Sequence, residues 1–302
     1  MTPRNGRTLL LVNPTSGHGR AGRIAPRVAD YLHSQRVRVD VVESTSAEDL
    51  EHRAAAAAGQ GYTHVAALGG DGAFHSALNG AFGGGLVLGF FPSGNGNDIA
   101  LGLDIPTDAV AAAAEFVRAE PRRVDVVRAR CAGGRTRVFI GAGGVGLDSE
   151  AAQLVHGRFK KLPGVVRYVA AALWALARYE PLDVKLTMDG NPWAGRVLFA
   201  AAANSPSYGA GLKIAPAAEM DDGWMDITVV GDMRWTRLVD AILPVLRTGD
   251  LRWPEIHRFR VRRARFETSR RMIFHADGEL LGEAPVELEV LAGAVEIAGR
   301  RT

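Results

Sequence analysis

Thr63-His64-Val65-Ala66-Ala67-Leu68-Gly69-Gly70-Asp71-Gly72 is a short apolar run that ends in three glycines around one aspartate. Thr63–Leu68 reads as a strand with a helix to follow, so the glycines fill a strand-to-helix turn. Outward from it the same rhythm repeats up to about residue 125. Thr8–Val12, Val37–Val42 and Leu86–Phe91 are further predicted strands, and Arg20–Ser34 is a predicted helix. Ser46, with Asp49 three residues on, marks the N-cap of another helix running to Ala58. Short β-branched or Leu-rich runs alternating with longer Ala-rich runs predict βαβ units and a parallel sheet.

Beyond Asp125 the rhythm changes to strands separated by turn signals, such as Asp189-Gly190-Asn191 and Asp222-Gly223, with helices confined to about 147–180 and 234–247. This predicts a second domain dominated by antiparallel sheet. The length of 302 residues, at roughly 150 residues per domain, also suggests two. The 47% hydrophobic content supplies both cores and excludes a disordered chain. We therefore expect an α/β domain over 1–127 and a β-rich domain over 128–302. No internal repeat and no long linker is present, so the cleft between two closely joined domains is the expected place for chemistry.

Charge divides unevenly along the chain. Residues 1–127 hold 11 basic and 13 acidic side chains, residues 128–302 hold 25 and 20, and the whole carries +3. A surplus this small excludes a dedicated nucleic-acid binder but suits a membrane surface or a phosphorylated ligand. One cysteine, Cys131, cannot form an intramolecular disulfide, and Met1–Arg7 lacks the basic-then-apolar plan of a secretory signal, so a cytoplasmic protein is expected. The longest membrane-like stretch, Tyr168–Ala177, is about half of the roughly 20 apolar residues that a spanning helix requires. Any contact with a membrane is expected to be peripheral.

Three predicted strand-to-helix loops are rich in Gly, Asn and Asp: Asn13–Gly19, Gly69–Gly72 and Pro92–Asp98. On one sheet edge they would line a single crevice. Glycines around Asp71 let the backbone approach a phosphate and aim amide N–H groups at it. An unneutralised Asp71 carboxylate would repel that phosphate, which implies Mg²⁺ nearby. Nicotinamide cofactors are not expected. Gly17-Gly19-Gly22 is separated from its strand by Asn13–Ser16, and Gly141-Gly143-Gly146 has no acidic residue about 20 positions later. A Walker A loop is absent, since no glycine is followed by Lys and then Ser or Thr.

With these loops in view, the sequence resembles the diacylglycerol kinase and sphingosine kinase superfamily of lipid kinases. Asn13-Pro14-Thr15-Ser16-Gly17 matches its N-P-x-S-G, Gly69–Gly72 its G-G-D-G, and Pro92–Ala100 its P-x-G-T-x-N-D-F-A. Asp125 in Arg123–Val126 matches an interdomain aspartate. Ile214-Ala215-Pro216 through Asp226 matches a segment that holds a structural Mg²⁺, and Asp277-Gly278-Glu279 matches a D-G-E near the C-terminus. Six pieces in order cover nearly the whole chain.

The resemblance implies a nucleotide-binding α/β domain followed by a β-sandwich domain. It implies transfer of the γ-phosphoryl group of ATP to a lipid hydroxyl, diacylglycerol-like or related. Such transfer needs positioning and charge neutralisation more than covalent help. By the match, Asn13, Pro14, Thr15, Ser16, Gly17, Thr45, Gly69, Gly70, Asp71 and Gly72 would hold nucleotide, with Asn95 and Asp98 close by. Asp277 or Glu279 would accept the proton of the lipid hydroxyl. Asp125 would complete the acidic cluster from the other domain. Glu219 and Trp224, through backbone carbonyls, and Asp222, through its carboxylate, would bind a second Mg²⁺.

The sequence departs from the family's G-G-D-G-T-x-N-E at Ala73, His75 and Ser76, and Asn95 stands for the Thr of P-x-G-T. A catalytically idle lipid- or nucleotide-binding relative therefore stays open. An NAD kinase shares G-G-D-G but would carry N-E after it and a Thr- and Gly-rich segment that this chain lacks.

In Arg258-Phe259-Arg260-Val261-Arg262-Arg263-Ala264-Arg265-Phe266 charge alternates with apolar residues, placing Arg258, Arg260 and Arg262 on one strand face. That is a solvated face, or a cationic surface for anionic lipid headgroups at about 1 kcal/mol per charge. His18 and His75 are expected to have bland roles. His275, two residues before Asp277, is expected to share its face of a strand. Cys131 is expected to be inert, and Val165–Ala177 to be a helix over a core or lipid channel. Neither the acceptor lipid nor the oligomeric state is legible, and a homodimer stays open.

Overall fold

The computed structural model describes residues 3–147, 180–206, 213–233 and 253–299. The helices predicted over 147–180 and 234–247 lie outside the described residues, apart from the end residues Leu147 and Glu180. So does the stretch Val165–Ala177. The chain forms two compact units, residues 1–126 with 292–302, and residues 127–291.

The first unit is built on β1 (Arg7–Val12), β2 (Arg38–Glu43), β3 (His64–Gly69) and β4 (Val87–Pro92). β1 pairs in parallel with β2 and β3, and β3 with β4. β3 is buried along its whole length, which explains its unbroken apolar run: a parallel strand covered on both faces has no polar side. The helices are α1 (Ser16–Ser34), α2 (Ala47–Ala57), α3 (Asp71–Ala81), α4 (Asp98–Gly102) and α5 (Ala109–Arg118). They pack in pairs, α1 with α5 and α2 with α3. Ser46 is the predicted N-cap, its hydroxyl accepting the Asp49 N–H at 3.1 Å. In α1, Gly17, His18 and Gly19 have left-handed backbone, so the regular helix starts at Arg20 as expected.

β5 (Pro121–Arg130) passes from the first unit into the second at Val126/Val127. The second unit continues with β6 (Thr136–Phe139), β7 (Ala142–Gly146), β8 (Leu182–Met188), β9 (Asn191–Ala203) and β10 (Met225–Gly231). It then adds β11 (Ile256–Val261), β12 (Arg263–Thr268), β13 (Ile273–Ala276) and β14 (Glu279–Glu283). Pairing there is antiparallel, including β7 with β9 and β13, and β10 with β9 and β11. Phe139, Phe266 and Phe274 are fully buried in its main core. β8 alternates buried and exposed residues in strict period two, the mark of a half-solvated antiparallel face. The observed class is the expected one, an α/β unit followed by an antiparallel sandwich.

The expected division at 127/128 differs from the structure at the far end. β15 (Val286–Ala298) leaves the second unit at Leu291, and its Glu296 and Ile297 pair in parallel with Val87 and Leu88 of β4. Residues 292–302 thus belong to the first unit rather than to a domain spanning 128–302. A terminal strand carries no mark of which sheet it joins. The Gly141–Gly146 run is no ligand loop: it lies largely in β7 and is buried throughout.

Candidate active site

β1, β3 and β4 are parallel neighbours, so the segments leaving their C-terminal ends meet at one edge of the sheet. Asn13 N–H donates to Leu68 O at 3.0 Å, and Ser93 N–H to Gly69 O at 2.7 Å, so hydrogen bonding continues past the strands into all three predicted loops. The packing there requires glycine. A side-chain carbon on Gly94 would stand 2.7 Å from Gly70 Cα, and one on Gly17 would stand 2.0 Å from Ser93 O. Gly17 has φ +60° as well, so both space and backbone exclude another residue. Arg20, which the sequence reading missed, fastens the arrangement by donating to Ser93 O from Nε at 3.2 Å and from Nη2 at 2.9 Å, and also to Gly94 O.

Asp71 opens α3 and turns its carboxylate to the start of α4. Its Oδ1 accepts from Ile99 N at 3.2 Å and its Oδ2 from Asp98 N at 3.3 Å. Gly96 lies between the two acids: a carbon built on it would be 3.2 Å from Asp98 Oδ2 and 3.5 Å from Asp71 Oδ2. Two carboxylates converging on an exposed glycine suit a hard cation held with phosphate. Ser93 Oγ and Asn97 Oδ1 are buried here without a hydrogen-bond partner among the described residues, an expensive arrangement that points to a polar ligand. Asn97 is in the left-handed region, which Asn tolerates, and its Nδ2 donates to Gly94 O at 3.3 Å.

The other predicted nucleotide residues are placed as follows. Asn13 Oδ1 accepts from Thr15 Oγ1 at 2.9 Å, closing the first loop on itself. Pro14 and Ser16 are half-buried there. Thr45 is exposed after β2, its N–H donating to Asp49 Oδ2. Asn95 is exposed at the tip of its loop. Ala73, His75 and Ser76 are all buried in α3, so the three departures from the family pattern lie within a packed helix.

In the second unit, Asp277 and Gly278 have φ +52° and +82° and join β13 to β14 as a two-residue hairpin turn, the geometry that Asp-Gly favours. The Asp277 carboxylate folds back onto the chain. Oδ2 accepts from Ile140 N at 3.0 Å and Oδ1 from Gly141 N at 2.9 Å. Asn204, also missed from sequence, grips the same two residues from their carbonyl side: its Nδ2 donates to Ile140 O and its N–H to Gly141 O. Glu279 is half-buried at the start of β14. His275 does not share a strand face with Asp277, which lies in the turn; it is buried with Nδ1 3.1 Å from Gly144 O.

Asp125 is 1% exposed in β5 and accepts from Gly293 N at 2.6 Å. It ties β5 to β15 within the first unit, the side from which it was expected to act. At the predicted structural Mg²⁺ site, Asp222 Oδ1 accepts from Trp224 N at 2.9 Å and Oδ2 is paired with Arg260. Glu219 is exposed. With a guanidinium already on its one carboxylate, this donor set does not fit a divalent cation. Among the described residues there is no group of three or more His, Cys, Asp or Glu suited to a metal.

The arginine run is split between β11 and β12 at Arg262 rather than forming one strand. Much of its charge is neutralised, by Arg260–Asp222, Arg263–Glu289 and Arg265 with Glu267 and Glu287, as on a solvated face. Cys131 is buried, and burial pushes its thiol pKa up, as an inert residue requires. No helix among the described residues is long and apolar enough to cross a membrane.

Comparison with known proteins agrees with this geometry. Residues 7–129 match the diacylglycerol kinase catalytic domain family, and residues 141–299 match the YegS C-terminal NAD kinase beta sandwich-like domain family. A diacylglycerol kinase of Mycobacterium tuberculosis is 30% identical over 297 residues, covering 97% of this chain and 94% of that protein. One of Bacillus subtilis is 25% identical over 284 residues, covering 93% and 92%. A crystal structure of a diacylglycerol kinase from Bacillus anthracis has the same fold, with a TM-score of 0.79, 22% identity and 97% of each chain covered. The chain belongs to the diacylglycerol kinase family of lipid kinases, phosphotransferases that act on an alcohol group.

Proposed function

We propose that this kinase moves the γ-phosphoryl group of ATP to the hydroxyl of a diacylglycerol-like or related lipid. The observation that carries the reading is the convergence of Asp71 and Asp98 on Gly96, beside loops packed so closely at Gly17, Gly70 and Gly94 that no side chain fits at those three positions. Asn13–Gly17, Thr45, Gly69–Gly72 and Asn95 hold the nucleotide, with amide N–H groups facing its phosphates. α3 begins after Gly70 with no side-chain cap, and the Gly72 N–H in its first turn serves that purpose. Asp71 and Asp98 hold the Mg²⁺ that accompanies the nucleotide; when bound, this ion neutralises charge developing on the β- and γ-phosphate oxygens.

In the transfer, the lipid oxygen forms a bond to the γ-phosphorus as the bond from that phosphorus to the β,γ-bridging oxygen breaks, and ADP leaves. The hydroxyl proton goes to Glu279. Asp277 is the poorer candidate because both its oxygens are already engaged by the backbone N–H groups of Ile140 and Gly141. Asp277 instead shapes the turn that presents Glu279.

Incubation with γ-labelled ATP and diacylglycerol in mixed micelles should give labelled phosphatidic acid, and Asp71→Ala should not. Absence of any labelled lipid across a panel of hydroxyl-bearing bacterial lipids would sink the reading.

A further inference from the structure

We propose that Arg260 serves in this chain as a built-in cation for the turn 219–224, taking the place of a divalent metal. This goes beyond the kinase reading and does not rest on it. Asp222 is only 16% exposed in its side chain, so its carboxylate needs a counter-charge, and the Arg260 guanidinium supplies one at Oδ2 while Trp224 N–H occupies Oδ1.

The surroundings make a second cation unwelcome. In the antiparallel register of β10 and β11, Asp226 stands opposite Arg260, and Thr228 opposite Arg258. Arg258 and Arg260, two residues apart on β11, share its face. Arg262 lies over the Trp224 ring at 4.4 Å, and Arg260 lies 5.8 Å from the same ring. Arg260 already occupies the Asp222 carboxylate, the one that the expected donor set offers, so Mg²⁺ would have to enter beside guanidinium groups that stay charged at any working pH. Mg²⁺ also gives up water reluctantly and prefers one or two free carboxylates.

The arginine fits better than the metal in a further respect. Its planar group bonds the carboxylate while staying within cation–π range of the Trp224 ring, at 5.8 Å. One residue thereby fastens the turn and the start of β10 to β11, whose only strand partner among the described residues is β10. The alternation of arginines from 258 to 262 is in part this internal counter-charge.

The test is thermal unfolding without nucleotide, in chelator and in millimolar Mg²⁺. The wild-type midpoint should be the same in both, and nucleotide-free protein passed through Mg²⁺ buffer should retain no metal. Arg260→Gln should lower the midpoint by about 2–4 °C in chelator. Mg²⁺ should recover part of that loss, and Asp222→Asn in the same chain should abolish the recovery. A Mg²⁺-dependent rise in wild type that Asp222→Asn removes would overturn the proposal. So would stoichiometric retained Mg²⁺, or an Arg260→Gln protein indifferent to the ion. If Arg260→Gln does not fold, the wild-type midpoints and metal content decide alone. None of these readouts depends on kinase activity.

Discussion

Asp71 Oδ1 accepts the backbone N–H of Ile99, so the acid at the head of one glycine loop caps the short helix that follows another. The other oxygen accepts the Asp98 N–H at 3.3 Å and lies beside Gly96, where a built side-chain carbon would be 3.5 Å away. Asp71→Asn keeps the size but loses the charge. We expect phosphoryl transfer to fall by about 10²-fold or more, and stability by about 1 kcal/mol from the weakened cap. Steady-state kinetics and urea unfolding separate the two effects, and an active Asp71→Asn enzyme would contradict the assignment.

Asp277 and Glu279 should part company under mutation. Glu279→Gln should leave the unfolding midpoint near that of wild type and reduce kcat by about 10²–10⁴-fold. Asp277→Asn places an amide donor against the N–H of Ile140 or Gly141 inside the second unit and should cost about 1–3 kcal/mol of stability. Equal loss of stability in both variants, with equal residual activity, would mean that the two acids do not have separate roles.

Gly94→Ala tests the contact between loops. Its new carbon, 2.7 Å from Gly70 Cα, must push the two backbones apart. Binding of ATP measured by calorimetry should weaken, while the second unit is left untouched. Unchanged affinity would show that the nucleotide does not sit against this contact.

Glu289 gives the pH dependence a sign. Its carboxyl is held below its ordinary pKa, first by the hydrogen bond from Arg128, with burial opposing and Arg263 assisting. A depressed folded pKa means a stabilising contribution that is present above the unfolded value of about 4.3 and lost as pH falls through the folded one. Solvent screening limits it to about 1 kcal/mol. Glu289→Gln should therefore be less stable than wild type at neutral pH and nearly equal to it in acid, as measured by urea midpoints across that window.

Cys131 offers a probe of integrity. Because burial raises its pKa and covers its sulfur, a disulfide reagent at mildly alkaline pH should react slowly with the folded protein and quickly in denaturant. Rapid stoichiometric reaction of the native protein would mean that the β5–β6 region opens.

Local features of the sequence were good guides to local structure. The strands before the three loops, the Ser46 cap and the glycines at 17, 70 and 94 follow from apolar runs and steric rules that act within a few residues. What escaped notice was set by distant partners. Asn204 looks like the polar end of an alanine-rich strand until Ile140 and Gly141 are beside it. Asp277-Gly278 is legible as a turn, yet nothing nearby says that its carboxylate faces inward. Arg260 meets Asp222 across 38 positions, so the run around it reads as a surface stripe when taken alone. The return of β15 was hidden for the same reason, since strand pairing over 200 residues has no local signal.

That return has a consequence for synthesis. The sheet of the first unit gains its β15 edge, and Asp125 gains the Gly293 amide, only once residues 292–298 have been made. The ribosome must therefore deliver the whole second unit before the first can close. The unit that emerges earliest is the last to be completed, and in the interval β4 presents a bare strand edge on which nascent chains could pair with one another.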